Sequence, residues 1–136
     1  MRVLAVLVIV AALLAAGLYY GLEFLGSGGD ANAKARLAGD HLIEDARPAM
    51  AAIARRIEST KSLRGAGAGI AVRPSPDGTR SYGSDGFFLV GSNGVIQAQS
   101  PQHGITLTLT PSLEGGRVVW HCSSSVPRNR LTRRCR

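Results

Sequence analysis

Cys122 and Cys135 are the only cysteines of a 136-residue chain, and the twelve residues between them permit one short disulfide loop. Two reduced thiols are the alternative; zinc is disfavoured, because no cluster of histidines or carboxylates accompanies the pair at metal-ligand spacing. An oxidised pair implies an oxidising compartment for this end of the chain. Arg128, Arg130, Arg133, Arg134 and Arg136 fall within nine residues of the same segment, and no acidic residue follows Glu114. The local field is expected to be strongly positive, and guanidinium forks suit phosphate, so duplex DNA, anionic lipid heads and envelope polymers are the candidate partners. A solvated charge run that aids solubility is the competing reading. No aromatic residue lies between the cysteines, so the stacking platform of single-strand binders is missing.

Other reactive residue types lack the context that catalysis needs. His41 falls on an expected helix, His103 in a turn and His121 beside Cys122, and none has metal or nucleophile spacing. Ser123-Ser124-Ser125 has no Gly-x-Ser-x-Gly frame, and Asp40, Glu44 and Asp45 read as solvated helix charges. Gly65-x-Gly67-x-Gly69 places Ile70 where a dinucleotide fingerprint needs its last glycine. It also follows a helix and runs into prolines, so it is expected to be a flexible connection. No catalytic residue, cofactor or metal is assigned, and no enzymatic role is expected.

The elements that must position the arginines begin after an apolar segment. Val3 to Leu22 carries no charge, and twenty helical residues span the roughly 30 Å hydrocarbon layer of a bilayer. Tyr19, Tyr20 and Phe24 suit the lipid–water boundary, and Gly26-Ser27-Gly28-Gly29 releases the chain. Ala31-Asn32-Ala33 offers the alternative of a cleaved signal peptide, although its hydrophobic region normally runs only about 7–15 residues. Arg2 before the segment and Lys34 and Arg36 after it leave its orientation unsettled by charge. No cysteine near the segment supports a lipoprotein. The expected organisation is an anchor over residues 1–25, a Gly/Ser linker over 26–32 and a globular domain over 33–136, with the inner membrane as a partner through residues 3–22. The chain carries a formal +7, and beyond residue 30 it holds fifteen basic against seven acidic residues, so the basic part is the part outside the bilayer.

From Ala33 to Leu63, Ile43, Ala46, Met50, Ile53 and Ile57 recur at steps of three and four, which predicts a helix with one apolar face. Its other face carries Glu44, Arg47, Arg55, Glu58 and Lys61, and Pro48 marks a bend or a junction of two helices. Arg64 to Gly86 is rich in glycine and proline, with Ile70-Ala71-Val72 as a short strand candidate. Phe87–Val90 and Val95–Gln99 flank a turn at Asn93-Gly94. Ile105, Leu107 and Leu109 alternate with threonines until Pro111, which is expected to end that strand. Gly115-Gly116 then turns the chain into Arg117–Cys122. These elements predict an α+β fold, an amphipathic helix packed on a four-stranded antiparallel sheet.

Three segments carry a family resemblance: Ile105-Thr-Leu-Thr-Leu-Thr-Pro111, Gly116-Arg-Val-Val-Trp-His-Cys122 and Leu131-Thr-Arg-Arg-Cys-Arg136. In that order they resemble the C-terminal half of type IVa pilins, with residues 33–63 similar by pattern only. The resemblance implies a long N-terminal helix on a four-stranded sheet, a disulfide between Cys122 and Cys135, and Trp120 as the aromatic of the last strand. The pilin pattern of a basic leader, a cleavage glycine and an early glutamate does not precede Val3; Gly17, Gly21 and Glu23 come too late in the apolar run. A pilin-like head on its own anchor is therefore the literal reading. Thr132 stands where the family carries proline, which is expected to loosen the loop. The resulting expectation is a membrane-anchored, minor or accessory component of a type IV pilus or a related secretion or DNA-uptake system. Its head would face the periplasm or the cell exterior, with other apparatus subunits as partners. A stand-alone envelope protein that binds DNA or another polyanion is the second reading, and a small envelope enzyme the third.

Overall fold

The computed structural model describes the backbone of residues 2–73 and 86–135, and the side chains of residues 29–73 and 86–135. Helix α1 runs Arg2–Thr60 and is followed by four strands, β1 (Phe87–Val90), β2 (Ile96–Ser100), β3 (Ile105–Glu114) and β4 (Arg117–Ser124). The chain divides into two compact units, Met1–Asn32 and Ala33–Arg136. Among the described residues no helix is long and apolar enough to cross a membrane. The side chains of the expected anchor, residues 3–22, lie outside the described residues.

In the larger unit the predicted stripe is the core face of α1. Ala35, Ala38, Leu42, Ala46, Ala49, Ile53 and Ile57 are all buried, joined by Ile43, with Met50 packed at the margin. The spacing of three and four keeps these residues on one side of the helix. Pro48 is exposed and the helix runs through it. The carbonyl that loses its donor belongs to Glu44, also exposed, so water can replace the missing hydrogen bond. At its C-terminus α1 stops at Lys61, which takes φ +53°.

The sheet is an antiparallel meander in the order β1-β2-β3-β4. Ile96 and Ala98 of β2 and Ile105, Leu107 and Leu109 of β3 point into the core. Gln97, Thr106, Thr108 and Thr110 occupy the alternate positions, as a period-two pattern requires. The helix and sheet therefore share one apolar cluster, which Trp120, Cys122 and Phe88 flank.

Three local expectations are corrected. Pro111 does not end β3, which continues to Glu114 and pairs Pro111 with Trp120. The two-residue turn Gly115-Gly116, with φ +56° and +84°, closes on Glu114 and Arg117. Such a turn closes on a hydrogen-bonded pair, so alternation makes Pro111 opposite Trp120 a non-hydrogen-bonded pair. The backbone nitrogen of Pro111 therefore faces away from β4, toward a side where β2 has already ended at Ile96 opposite Leu109. No ladder bond is lost.

The first hairpin is wider than a two-residue turn. The Val95 carbonyl accepts from the Gly91 N–H at 2.8 Å, the Gly91 carbonyl accepts from the Gly94 N–H at 2.9 Å, and Gly94 alone of the loop has positive φ, +83°. That is a three-residue loop, a turn followed by one left-handed residue, which starts β2 at Ile96.

Residues 64–73 are neither a strand at 70–72 nor a loose connection. The Arg56 guanidinium donates to the carbonyls of Ala68 (2.7 Å), Gly65 (3.2 Å) and Ala66 (3.3 Å), gathering the glycine segment over the end of α1. The Gly67 N–H donates to the Ser92 carbonyl, and a Cβ at Gly67 would lie 2.0 Å from the Gly91 oxygen. Gly67 serves backbone-to-backbone packing against the first hairpin, which a side chain would block, whereas Gly65 and Gly69 supply positive φ in open space.

Candidate functional site

The C-terminal loop is an ordered structure held at several points. Cys122 of β4 and Cys135 are joined by a disulfide with Cα atoms 4.8 Å apart, inside the range that the bond's geometry allows. Cys135 is buried in a short 3-10 turn, Arg133–Cys135, and its N–H donates to the Thr132 carbonyl at 3.1 Å. Leu131 is buried against the core.

Thr132 is the opposite of a loosening substitution. It is 1% exposed, its hydroxyl donates to the Asp40 carboxylate on α1, and its oxygen accepts from the Arg134 N–H at 3.3 Å. Its methyl group fits over Gly39, where an added Cβ would sit 3.3 Å from Thr132 Cγ2. Proline at 132 would supply neither the hydroxyl nor this contact.

The four described arginines of the loop have different surroundings. Arg130 donates to the His103 carbonyl at 3.2 Å, tying the loop to the β2–β3 connection. Arg134 lies 4.0 Å from Asp40 and 3.9 Å from Glu44, both on α1. These carboxylates are therefore not isolated solvated charges, and the loop's field is offset from the helix side. The two pairs are long and about half exposed, so they fix the direction of the Arg134 side chain more than they add stability. Arg128 and Arg133 are exposed and form no ion pair among the described residues. Arg136 lies outside the described residues.

A groove of about 460 Å³ opens between α1 and the loop, lined by Ala33, Arg36, Leu37, Asp40, Arg133 and Arg134. Sequence reasoning treated Arg36 only as a flanking charge of the apolar segment. The signal was available: Ala33, Arg36, Leu37 and Asp40 stand at i, i+3, i+4 and i+7 and so share a helix face. What lies opposite that face is not written in the helix.

His121, Ser112 and Glu114 meet on the outer face of the β3–β4 hairpin. The Ser112 hydroxyl donates to Glu114 Oε1 at 2.9 Å, while His121 Nε2 lies 2.9 Å from Ser112 Oγ and 3.2 Å from Glu114 Oε1. In a catalytic triad the acid holds one ring nitrogen and the nucleophile meets the other. Here one nitrogen faces both partners, so the cluster lacks that relay. The Ser112 hydroxyl first and the His121 ring second hold the Glu114 carboxyl below its ordinary value of 4.5. Ser123 and Ser125 are exposed. Among the described residues no group of three or more histidines, cysteines or carboxylates could hold a metal ion.

No protein-family model, curated protein or solved structure matches the chain.

Proposed function

We propose that this chain is a membrane-anchored, pilin-like protein, an accessory or minor component of a type IV pilus or a related secretion or DNA-uptake apparatus. The observation that carries the reading is the head's construction. One helix lies across a four-stranded antiparallel meander whose last strand is stapled to the loop by Cys122–Cys135. The three pilin-like sequence segments fall on β3, on β4 and on that stapled loop. Residues 3–22 supply the anchor to the inner membrane and place the disulfide-bearing head on its oxidising side. Other apparatus subunits are the expected partners.

The test is site-specific photo-crosslinking from the exposed head position Arg47 in cells that assemble such an apparatus, followed by mass spectrometry of the adducts. Adducts with apparatus subunits are expected. A head that crosslinks only to unrelated envelope proteins would overturn the assignment.

A second reading, a stand-alone envelope protein that binds DNA or another polyanion, is favoured specifically by Arg128 and Arg133. Their guanidinium groups are exposed on a loop that four separate attachments hold in place. The two readings are compatible in one molecule. They part in a strain lacking the apparatus, where a stand-alone receptor still retains DNA at the cell envelope and an accessory subunit does not.

A further inference from the structure

We infer that β1 is a dimerisation edge: Phe87–Val90 of one chain pairs antiparallel with Phe87–Val90 of a second copy, about a two-fold axis at Leu89. The inference goes beyond the pilin-like and polyanion readings and depends on neither.

The order β1-β2-β3-β4 leaves the sheet two edges. The β4 edge is partly covered, because the Val118 N–H donates to Glu58 Oε1 of α1 at 3.1 Å and Cys122 ties the C-terminal loop to the strand. Among the described residues β1 pairs with β2 alone. The Gly91 N–H donates to the Val95 carbonyl, which makes those two a bonded pair. Alternation along the β1–β2 register then turns the N–H and C=O groups of Phe88 and Val90 away from β2, toward the open edge. The strand has no charged residue and no proline, the devices that keep exposed edges from pairing.

The side chains point the same way. Phe88 and Val90 pack on the core, whereas Phe87 and Leu89 are 53% and 50% exposed on the outer face. Across that face, β2 presents Gln97 and Gln99, and β3 presents Thr106 and Thr108. On these three strands the exposed apolar surface is confined to the strip that a neighbouring strand would cover. A hollow of about 370 Å³ adjoins it, lined by Leu89, Val90, Gly91, Asn93, Val95 and Gln97.

A second β1 meets these demands together. In an antiparallel pair, opposite residues share a face, and bonded pairs both turn their backbone groups to the seam. With the two-fold at Leu89, Phe88 exchanges both ladder bonds with the partner's Val90, and Val90 with the partner's Phe88. Leu89 stands against the partner's Leu89 in a non-bonded pair, where side chains are closest. Phe87 falls opposite the partner's Gly91, so its ring enters the hollow beside that glycine. Centring the axis on Phe88 also satisfies the backbone but leaves the hollow empty. The two four-stranded sheets join through β1, with both stapled loops at the far edges. A seam of four residues is short, so association is weak and concentration-dependent.

The experiment is sedimentation equilibrium of the intact chain in density-matched neutral detergent over a wide range of protein concentration. A monomer–dimer equilibrium is expected. Leu89→Lys sets two ammonium groups against each other and should weaken it about tenfold. Val119→Lys, on the outer face of β4, should leave it unchanged. Both native cysteines are in the disulfide, so an added thiol reports only on its own position. Under mild oxidation Leu89→Cys should give covalent dimers and Phe87→Cys should not. Circular dichroism checks each variant for an unaltered fold.

A monomer at every concentration overturns the inference. So does a dimer that Leu89→Lys leaves intact and Leu89→Cys does not crosslink, since it forms elsewhere, as through residues 3–22. Covalent dimers that appear only when Phe87→Cys and Leu89→Cys chains are mixed overturn the Leu89-centred register.

Discussion

The Thr132 hydroxyl donates to the Asp40 carboxylate, joining the C-terminal loop to α1 across 92 positions of sequence. The disulfide fixes the loop to β4, whereas this hydrogen bond fixes it to the helix, and the groove's geometry depends on the second attachment. Thr132→Val keeps the volume but removes the hydroxyl, leaving the Asp40 oxygen and the Arg134 N–H to find other partners. A loss of about 1–2 kcal/mol in unfolding free energy is expected, from denaturant titration with the disulfide intact. Thr132→Ser keeps the hydroxyl and should lose less.

Removing the disulfide acts mainly on the unfolded chain. Cys122 and Cys135 are 13 positions apart, and closing such a loop stabilises the fold by about 3 kcal/mol in the chain-entropy treatment. Cys122→Ala/Cys135→Ala should lose about that amount and lower the thermal midpoint. The Thr132–Asp40 bond should still hold the loop against α1, so loop amide exchange ought to rise less in the double variant than in the same protein carrying Thr132→Val as well.

Which parts of this arrangement were legible beforehand follows from how local their causes are. The stripe from Ile43 to Ile57 and the alternation from Ile105 to Thr110 are set by backbone period alone, and both elements formed where those patterns lie. The end of β3 was not legible, because a proline's cost depends on which side of the ladder its nitrogen faces, and that is fixed by the register with β4. Arg56 was silent for a similar reason: its three carbonyl partners lie on a segment whose path is set by the hairpin it packs on. The arginine run was visible as composition, but its division into anchoring and exposed members required Asp40, Glu44 and the His103 carbonyl, all distant in sequence.

Gly67 and Gly69 offer a clean separation of steric from conformational requirements. Gly67→Ala drives a methyl group to 2.0 Å from the Gly91 carbonyl oxygen and 3.1 Å from the Gly94 backbone. The hairpin and the 64–73 segment must separate, at an expected cost of about 2–4 kcal/mol. Gly69→Ala meets no atom within 4 Å but must hold φ +71°, which costs about 1 kcal/mol. Chemical denaturation of the two variants should rank them in that order; equal losses would contradict the close approach at Gly67.

Glu114 gives the outer face a pH dependence of known sign. Its folded carboxyl titrates below 4.5, through Ser112 and then His121. Stabilisation from these contacts is present above the ordinary value and is lost as pH falls through the lower folded one. Ser112→Ala should move the Glu114 midpoint back up toward 4.5, as read from its side-chain carboxyl resonance. The contribution is small because Glu114 is exposed. Glu114→Gln should therefore change stability only slightly at neutral pH and make it less pH-dependent in the acid range where the folded carboxyl titrates.

Lys61 ends α1 in a conformation that favours glycine. Its φ is +53°, and its ammonium reaches the Gly116 carbonyl of the β3–β4 turn at 3.4 Å, where both partners are exposed. The left-handed backbone costs a residue with a Cβ more than that long, solvated contact returns. Lys61→Gly is accordingly expected to raise unfolding free energy by about 0.5–1 kcal/mol. Lys61→Ala retains the strained backbone and discards the ammonium, so it should be neutral or slightly destabilising. If alanine stabilised as much as glycine in thermal melts, relief at φ could not be the cause, and the ammonium group itself would have to be unfavourable at this helix end.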